Sequence, residues 1–192
     1  MLSNSNDDPS IEERILDAAA SCAIDFGVER VTLSEIARRA GVSRPTIYRR
    51  WEDANSIIVA ALTREVVSTI IRVEPRGDRR EDLVDRIIRV VRLLQNSGFI
   101  DALLDSGATV LMTYVTKRLG TSQYQLIEAG AAEIRRHQRT GEVREGNPQQ
   151  LATMVMLIAQ SAIQSAHMVE KILDIDSLER ELAYSLNGYL KP

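Results

Sequence analysis

Five arginines, Arg38, Arg39, Arg44, Arg49 and Arg50, lie between Ile36 and Trp51 in a run that contains no acid. The hydroxyls of Thr32, Ser34, Ser43, Thr46 and Tyr48 flank them or fall among them. Such groups suit recognition of a polyanion. Hydroxyls bond phosphate oxygens, and an arginine fork bonds guanine O6 and N7 bidentately. Arg44 is the best-placed base reader, because residues at the N-terminal end of a recognition helix meet base edges. The Pro45 ring and the Thr46 methyl offer apolar contact to thymine methyls, and Tyr48, Arg49 and Arg50 extend the surface. A merely solvated helix face would share this charge but not the turn geometry around it.

Catalytic chemistry has little support. The chain holds no Gly-rich phosphate loop, no G-x-S-x-G elbow and no coherent acid pair, so no catalytic residue, cofactor or enzymatic activity is expected. Cys22 is the only cysteine, which rules out an intramolecular disulfide and a Cys-based zinc cluster. Its place on an apolar stripe makes it a small buried hydrophobe. His137, in EIRRHQR, reads as solvated, and His167 shares a helical face with Gln160 and Gln164. Neither has partners at metal-binding spacing, so no metal site is expected.

Caps and breaks outline the elements that must position the arginines. Ile11, Ile15, Ala18, Ala19, Cys22 and Phe26 follow Pro9 and Ser10 at helical spacing, which predicts a first helix ending at Gly27. Thr32 and Glu35 have the spacing of a capping box, with the carboxylate reaching back to the cap. Leu33, Ile36, Ala37 and Ala40 form the inner face of the helix that follows. Gly41 supplies a turn, Val42 an apolar anchor and Ser43 an N-cap whose helix end suits a phosphate. Pro45 fits a first turn, so the third helix starts at Arg44, with Ile47 and Trp51 facing inward.

From about Ser10 to Leu62 the chain resembles the DNA-binding domain of TetR/AcrR-family transcriptional regulators. The pattern runs T-x-x-x-I-A-x-x-A-G-V-S and then T-x-Y-x-x-F/W, carried here by Thr32, Ile36, Ala37, Ala40, Gly41, Val42, Ser43, Thr46, Tyr48 and Trp51. That order and spacing are more specific than a helix-turn-helix alone. One position departs: the family commonly has a phosphate-contacting Lys where this chain has Ala54, beside Glu52 and Asp53. Affinity then leans on the arginines, and Asn55 or Ser56 is left to cap the fourth helix.

Ile57, Ile58, Ala61, Leu62, Val66, Ile70 and Ile71 carry that helix to the Pro75-Arg76-Gly77 break. Beyond it the resemblance holds in layout only. Helical patterns cover Asp82 to Gln95, the stretch between Gly98 and Gly107, Ala108 to Leu119 and Tyr124 to Gln138, with Arg86, Arg89 and Arg92 read as a solvated face. A loop from Thr140 to Pro148 precedes the last two helices. In these, Leu151, Val155, Ile158, Ala162, Ala166 and Val169 line one face, and Leu178, Leu182, Leu186 and Leu190 another. Two such helices from each subunit would build a four-helix dimer interface, as the resemblance implies.

The fold class is therefore all-α, with about nine helices. The resemblance implies that an N-terminal three-helix helix-turn-helix domain precedes a helical ligand-binding and dimerisation domain. The expected divisions are a flexible tail over 1–9, a DNA-binding domain over 10–53, a connecting helix over 54–75 and the C-terminal domain over 76–192. The family resemblance implies a ligand pocket in that last domain, for which Phe99, Met112, Tyr114, Tyr124, Met154, Gln160, Gln164 and His167 are candidate lining residues. Lack of clustered charge among them points to a small, largely apolar effector.

The bulk composition neither supports nor opposes this. With 24 basic and 27 acidic residues the net charge is −3, so DNA binding must rest on local charge. Acids in MLSNSNDDPS stand where a signal peptide would be basic, and no apolar segment reads as long as a membrane span, which predicts a cytoplasmic protein with no membrane partner. The expected function is that of a repressor that binds a palindromic double-stranded DNA operator as a homodimer. The alternative is an all-helical ligand-binding or adaptor protein whose helix-turn-helix has weak or no DNA affinity.

Overall fold

Caps of the expected kind set most helix boundaries in the computed structural model, which describes residues 10–106 and 121–192. Among the described residues there are nine α-helices, one 3-10 turn at Val28–Arg30 and no strand. The helices are α1 (Ile11–Phe26), α2 (Leu33–Ala40), α3 (Arg44–Tyr48), α4 (Ala54–Arg72) and α5 (Arg80–Gln95). They continue as α6 (Gly98–Ser106), α7 (Thr121–Arg139), α8 (Pro148–Val169) and α9 (Ile175–Leu190). The all-helical expectation holds. The tail over 1–9, the helix expected over Ala108–Leu119 and the ligand candidates Met112 and Tyr114 lie outside the described residues.

The described chain forms two compact units, residues 10–65 with 98–106, and residues 66–97 with 121–192. In the first, α1 packs against α2, the 3-10 turn and α6, while α2 packs against α3. Ile15, Ala19, Cys22, Ile36, Ile47, Ile57, Ile58 and Leu103 are fully buried there. Burial pushes the Cys22 thiol up from its ordinary pKa, so it stays an inert, protonated hydrophobe. Two residues of the expected α1 stripe, Ile11 and Phe26, are exposed. α6 follows the Pro75–Gly77 break in sequence, yet it joins this unit because Phe99, Ile100 and Leu103 are buried in it.

The second unit is built on Val84 and Val91 of α5, Ile127, Ala131 and Ile134 of α7, Leu151 and Ala152 of α8, and Leu182, Leu186 and Leu190 of α9. A Cβ added at Gly130 would lie 3.3 Å from the Ala152 Cβ, so the bare glycine lets α7 and α8 approach closely. The α9 leucines thus spend themselves on their own core. So does the expected α8 face, since Val155, Ile158 and Ala162 pack against the same cluster.

What remains outside on α8 is a different stripe. Met154, Leu157, Ser161, Met168 and Ile172 recur at three, four, seven and four residues along α8 and just past its end, and all are exposed, Met168 at 79% and Ile172 at 86%. On α9 Glu181, Tyr184, Ser185 and Gly188 are exposed, and a Cβ at Gly188 would meet nothing within 4 Å. This also corrects the expectation about apolar length. Ala54–Arg72 and Pro148–Val169 are both long and apolar enough, by length and composition, to pass for membrane spans. Each owes this to carrying more than one apolar stripe, which periodicity had reduced to a single face.

Two further expectations fail here, the first in part. Of the α5 arginines only Arg92 is exposed; Arg86 and Arg89 are partly buried rather than part of a solvated face. Arg86 donates to the carbonyls of Val73 at 2.8 Å and Ile70 at 3.2 Å, and Arg89 to that of Glu74 at 3.1 Å, so they hold the C-terminal end of α4. Arg92 pairs with the buried Glu179, donating from Nε at 2.6 Å. His137 is buried rather than solvated, with Nδ1 2.9 Å from the Glu133 carbonyl and no partner at Nε2 among the described residues. Long cationic and amphipathic side chains can serve either surface, and only packing decides which.

Candidate nucleic-acid interface

The turn between α2 and α3 is built from three independent constraints. Gly41 takes the left-handed conformation, φ 64° and ψ 37°, which glycine adopts without Cβ strain. Its N–H donates to the Ala37 and Arg38 carbonyls, and the Val42 N–H donates to Ala37 at 3.0 Å, closing the helix end. From α1, Arg14 then clamps the turn: Nη2 donates to the Ala40 carbonyl at 2.7 Å and the Gly41 carbonyl at 3.0 Å, and Nε to Ala40 at 3.2 Å. Arg14 escaped the reading of the sequence because an arginine beside an apolar stripe is indistinguishable there from a solvated one.

The caps form with changes. The Thr32 hydroxyl accepts from the Glu35 N–H at 3.2 Å, but the Glu35 carboxylate turns to Arg38 at 2.6 Å instead of reaching back. That bond to Arg38 holds the Glu35 carboxyl below its usual range. Two bonds to a guanidinium cation outcompete the single bond that the carboxylate would accept from an uncharged backbone N–H. Ser43 stands at the N-cap position of α3, but its hydroxyl meets that of Thr46 at 2.8 Å and caps no backbone N–H. α4 is capped by Asp53, not by Asn55 or Ser56. Its carboxylate accepts from the Ser56 N–H at 2.7 Å, and the Ser56 hydroxyl donates back to the Asp53 carbonyl at 2.7 Å. One of the two acids beside Ala54 is therefore a helix cap.

α3 presents the expected surface. Ile47 is fully buried and Trp51 partly so, which turns Ser43, Arg44, Pro45, Tyr48, Arg49 and Arg50 outward. Thr46 and Ser34 are half-exposed and Thr32 is exposed. The arginines are not equivalent, however. Arg38 is paired with Glu35. Arg39 is held by Asp25 at 2.6 Å, by the Ser21 hydroxyl at 2.5 Å and over the Phe26 ring at 5.2 Å. Arg50 is paired with Glu12 at 3.0 Å. Among the described residues, the guanidinium groups of Arg44 and Arg49 have no intramolecular ion pair or hydrogen bond, so they are the uncommitted cations. The run is free of acid along the chain only; α1 supplies Glu12 and Asp25 to it in space.

Residues 15–61, from α1 into α4, match the family model described as bacterial regulatory proteins, tetR family. Over 190 residues the chain is 52% identical to the Uncharacterized HTH-type transcriptional regulator Rv2250c of Mycobacterium tuberculosis (strain ATCC 25618 / H37Rv), covering 99% of this chain and 100% of that protein. The chain belongs to the TetR family of helix-turn-helix transcriptional regulators. TetR-family regulators are not enzymes, in line with the absence of catalytic motifs. Likeness of fold extends over nearly the whole chain. The R. erythropolis transcriptional repressor QsdR, of the TetR family, aligns with TM-score 0.69 at 20% identity, covering 95% of this chain and 96% of its own. FadR from Bacillus subtilis, in complex with stearoyl-CoA, aligns with TM-score 0.63 at 17% identity, covering 92% and 98%.

In this TetR-family chain the candidate effector residues are scattered. Phe99 is buried in the first unit with α6. Tyr124 on α7 is 58% exposed, and Met154 belongs to the exposed α8 stripe. Gln160 and Gln164 are half-buried on α8 and His167 is exposed. Residue type marks adaptable apolar contact but not which side of a helix is covered. Among the described residues no set of three His, Cys, Asp or Glu side chains is arranged to hold a metal ion.

Proposed function

We propose that the chain is a repressor that binds a near-palindromic operator as a homodimer and is released by a small, largely apolar effector. The observation that carries DNA binding is the pair of uncommitted guanidinium groups, Arg44 and Arg49, exposed with Pro45 and Tyr48 on a helix whose entry is pinned by Arg14. Arg44 reads a base, and Arg49 with the hydroxyls of Thr32, Ser34, Ser43, Thr46 and Tyr48 bonds phosphates. The acids beside Ala54 give little support to the adaptor alternative, because Asp53 has a structural role in capping α4.

The exposed apolar stripe on α8, with Tyr184 on α9, supports the dimer, since a second copy would cover it in a self-complementary, two-fold contact. The effector reading takes support from the stearoyl-CoA bound by the B. subtilis FadR, whose fold this chain resembles. α4, spanning residues 54–72, supplies a helical connection through which an effector could bias DNA affinity, with couplings typically about 1–3 kcal/mol. A regulator of this kind works in the cytoplasm.

Selection of bound duplexes from random-sequence DNA tests the proposal. The expected product is a near-palindrome whose half-sites lie about one helical turn apart or a multiple of it. On that duplex Arg44→Ala should cost about 1–3 kcal/mol and relax the preference at one position of each half-site. Micromolar protein that retains no duplex overturns the reading.

A further inference from the structure

The three committed arginines of the helix-turn-helix differ in how firmly they are held. Arg39 has three anchors, the Asp25 carboxylate, the Ser21 hydroxyl and the Phe26 ring. Arg38 makes two bonds to Glu35 within its own helix, at 2.6 and 3.0 Å. Arg50 has a single hydrogen bond to a single acid, Glu12, thirty-eight residues away, and both side chains are about half exposed. An exposed pair of this sort is weak and screened by salt, so a phosphate oxygen can displace the carboxylate.

We infer that Glu12 sets the DNA affinity of this chain by occupying Arg50, which stands beside the uncommitted Arg49 at the end of α3. The inference rests on the DNA-binding reading above. An exchange of partners at Arg50 yields no net gain of charge contact: one phosphate bond forms, one carboxylate bond is lost, and Glu12 is left unpaired near a polyanion. Arg50 is therefore a cation held in reserve, and Glu12 is the residue that withholds it. By the same logic Asp25 is not such a residue, because Arg39 keeps two anchors when the carboxylate is neutralised.

The salt dependence of binding counts phosphate contacts, with log affinity falling against log salt at a slope of about −0.9 for each contact. Fluorescence anisotropy on the duplex recovered by selection should show Glu12→Gln binding more tightly, with a slope steeper by about 0.9 per subunit. Glu12→Ala should do the same, and circular dichroism should show both variants as helical as the parent. Asp25→Asn should leave the slope unchanged. Glu12→Gln combined with Arg50→Ala should return to the parent slope, because the cation that was released is gone. An unchanged slope in Glu12→Gln overturns the inference. So does a gain that persists in the double variant, which would mark a general loss of negative charge near DNA. If parent and variants alike fail to bind DNA, the DNA-binding reading itself falls, an outcome distinct from both.

Discussion

The reading helix and the last two helices leave opposite kinds of surface bare. On and beside α3 the exposed groups are Ser43, Arg44, Pro45, Tyr48, Arg49 and Arg50, most of them polar. On α8 and just past it they are Met154, Leu157, Met168 and Ile172, large and apolar. In the first region the decisive event is subtraction: acids from α1 and α2 take three of the five arginines, and the remainder define the surface. In the second it is duplication: α8 carries two apolar stripes, its core takes one, and the other is left exposed. Charge and hydrophobicity counted along the chain therefore overstate the first surface and misplace the second.

The sharpest way to break this contrast is in α9, where Leu186 is fully buried. Leu186→Ala should destabilise the protein by about 2–5 kcal/mol in chemical denaturation. A cost typical of a surface site would return the α9 leucines to the dimer face that periodicity suggested. Next in size is Arg14→Met, which removes charge-assisted bonds to two carbonyls at the helix-turn-helix and should cost about 1–3 kcal/mol of stability. Because Arg14 faces the turn, DNA affinity should fall while the salt slope stays as in the parent; a shallower slope would make Arg14 a phosphate contact instead.

Met168→Lys acts on the other side of the comparison. Helical content should be unchanged, since the side chain is 79% exposed, while the dimer dissociation constant should rise about tenfold or more, roughly 1.4 kcal/mol, in sedimentation equilibrium. A dimer indifferent to this change would need another face.

The smallest effect is acid sensitivity at the start of α1. The Ser10 N–H donates to the Glu13 carboxylate at 2.6 Å, and this bond, with the Ser10 hydroxyl, holds the Glu13 carboxyl below its usual range. Its contribution to stability is complete above the ordinary glutamate pKa of about 4.3 and is lost as pH falls through the lowered folded value. Thermal melts from about pH 6 to about pH 3 should show Glu13→Gln losing less stability than the parent over the lower part of that range.

Much of the head was legible from sequence because its signals are local. A Ser, Thr or Asp before an apolar run, a Gly after it and a Pro in a first turn act within one helical turn, and the boundaries of α1, α2 and α3 fall where those residues place them. The Asp53 cap was missed for a local reason too: several polar residues compete for one cap, and backbone entry angle decides among them. Arg14, Glu12 and Asp25 were illegible because each acts on a segment 14 to 38 residues away. Nothing in the composition around them marks that reach.

By itself, then, the amino-acid order determined an all-helical chain of the TetR family, the Gly41 turn and the outward set on α3. The family rests on the order and spacing of the motif from Thr32 to Trp51, while short-range hydrogen bonds and a 3.6-residue period are enough for the helices and the turn. Only the tertiary structure decided which arginines stay free, which stripe of α8 is left open, that His137 is buried, and that Arg86 and Arg89 turn to backbone carbonyls at the end of α4. Those outcomes depend on which neighbour arrives on each side of a helix, and a helix with apolar or amphipathic residues on two faces leaves that choice to packing.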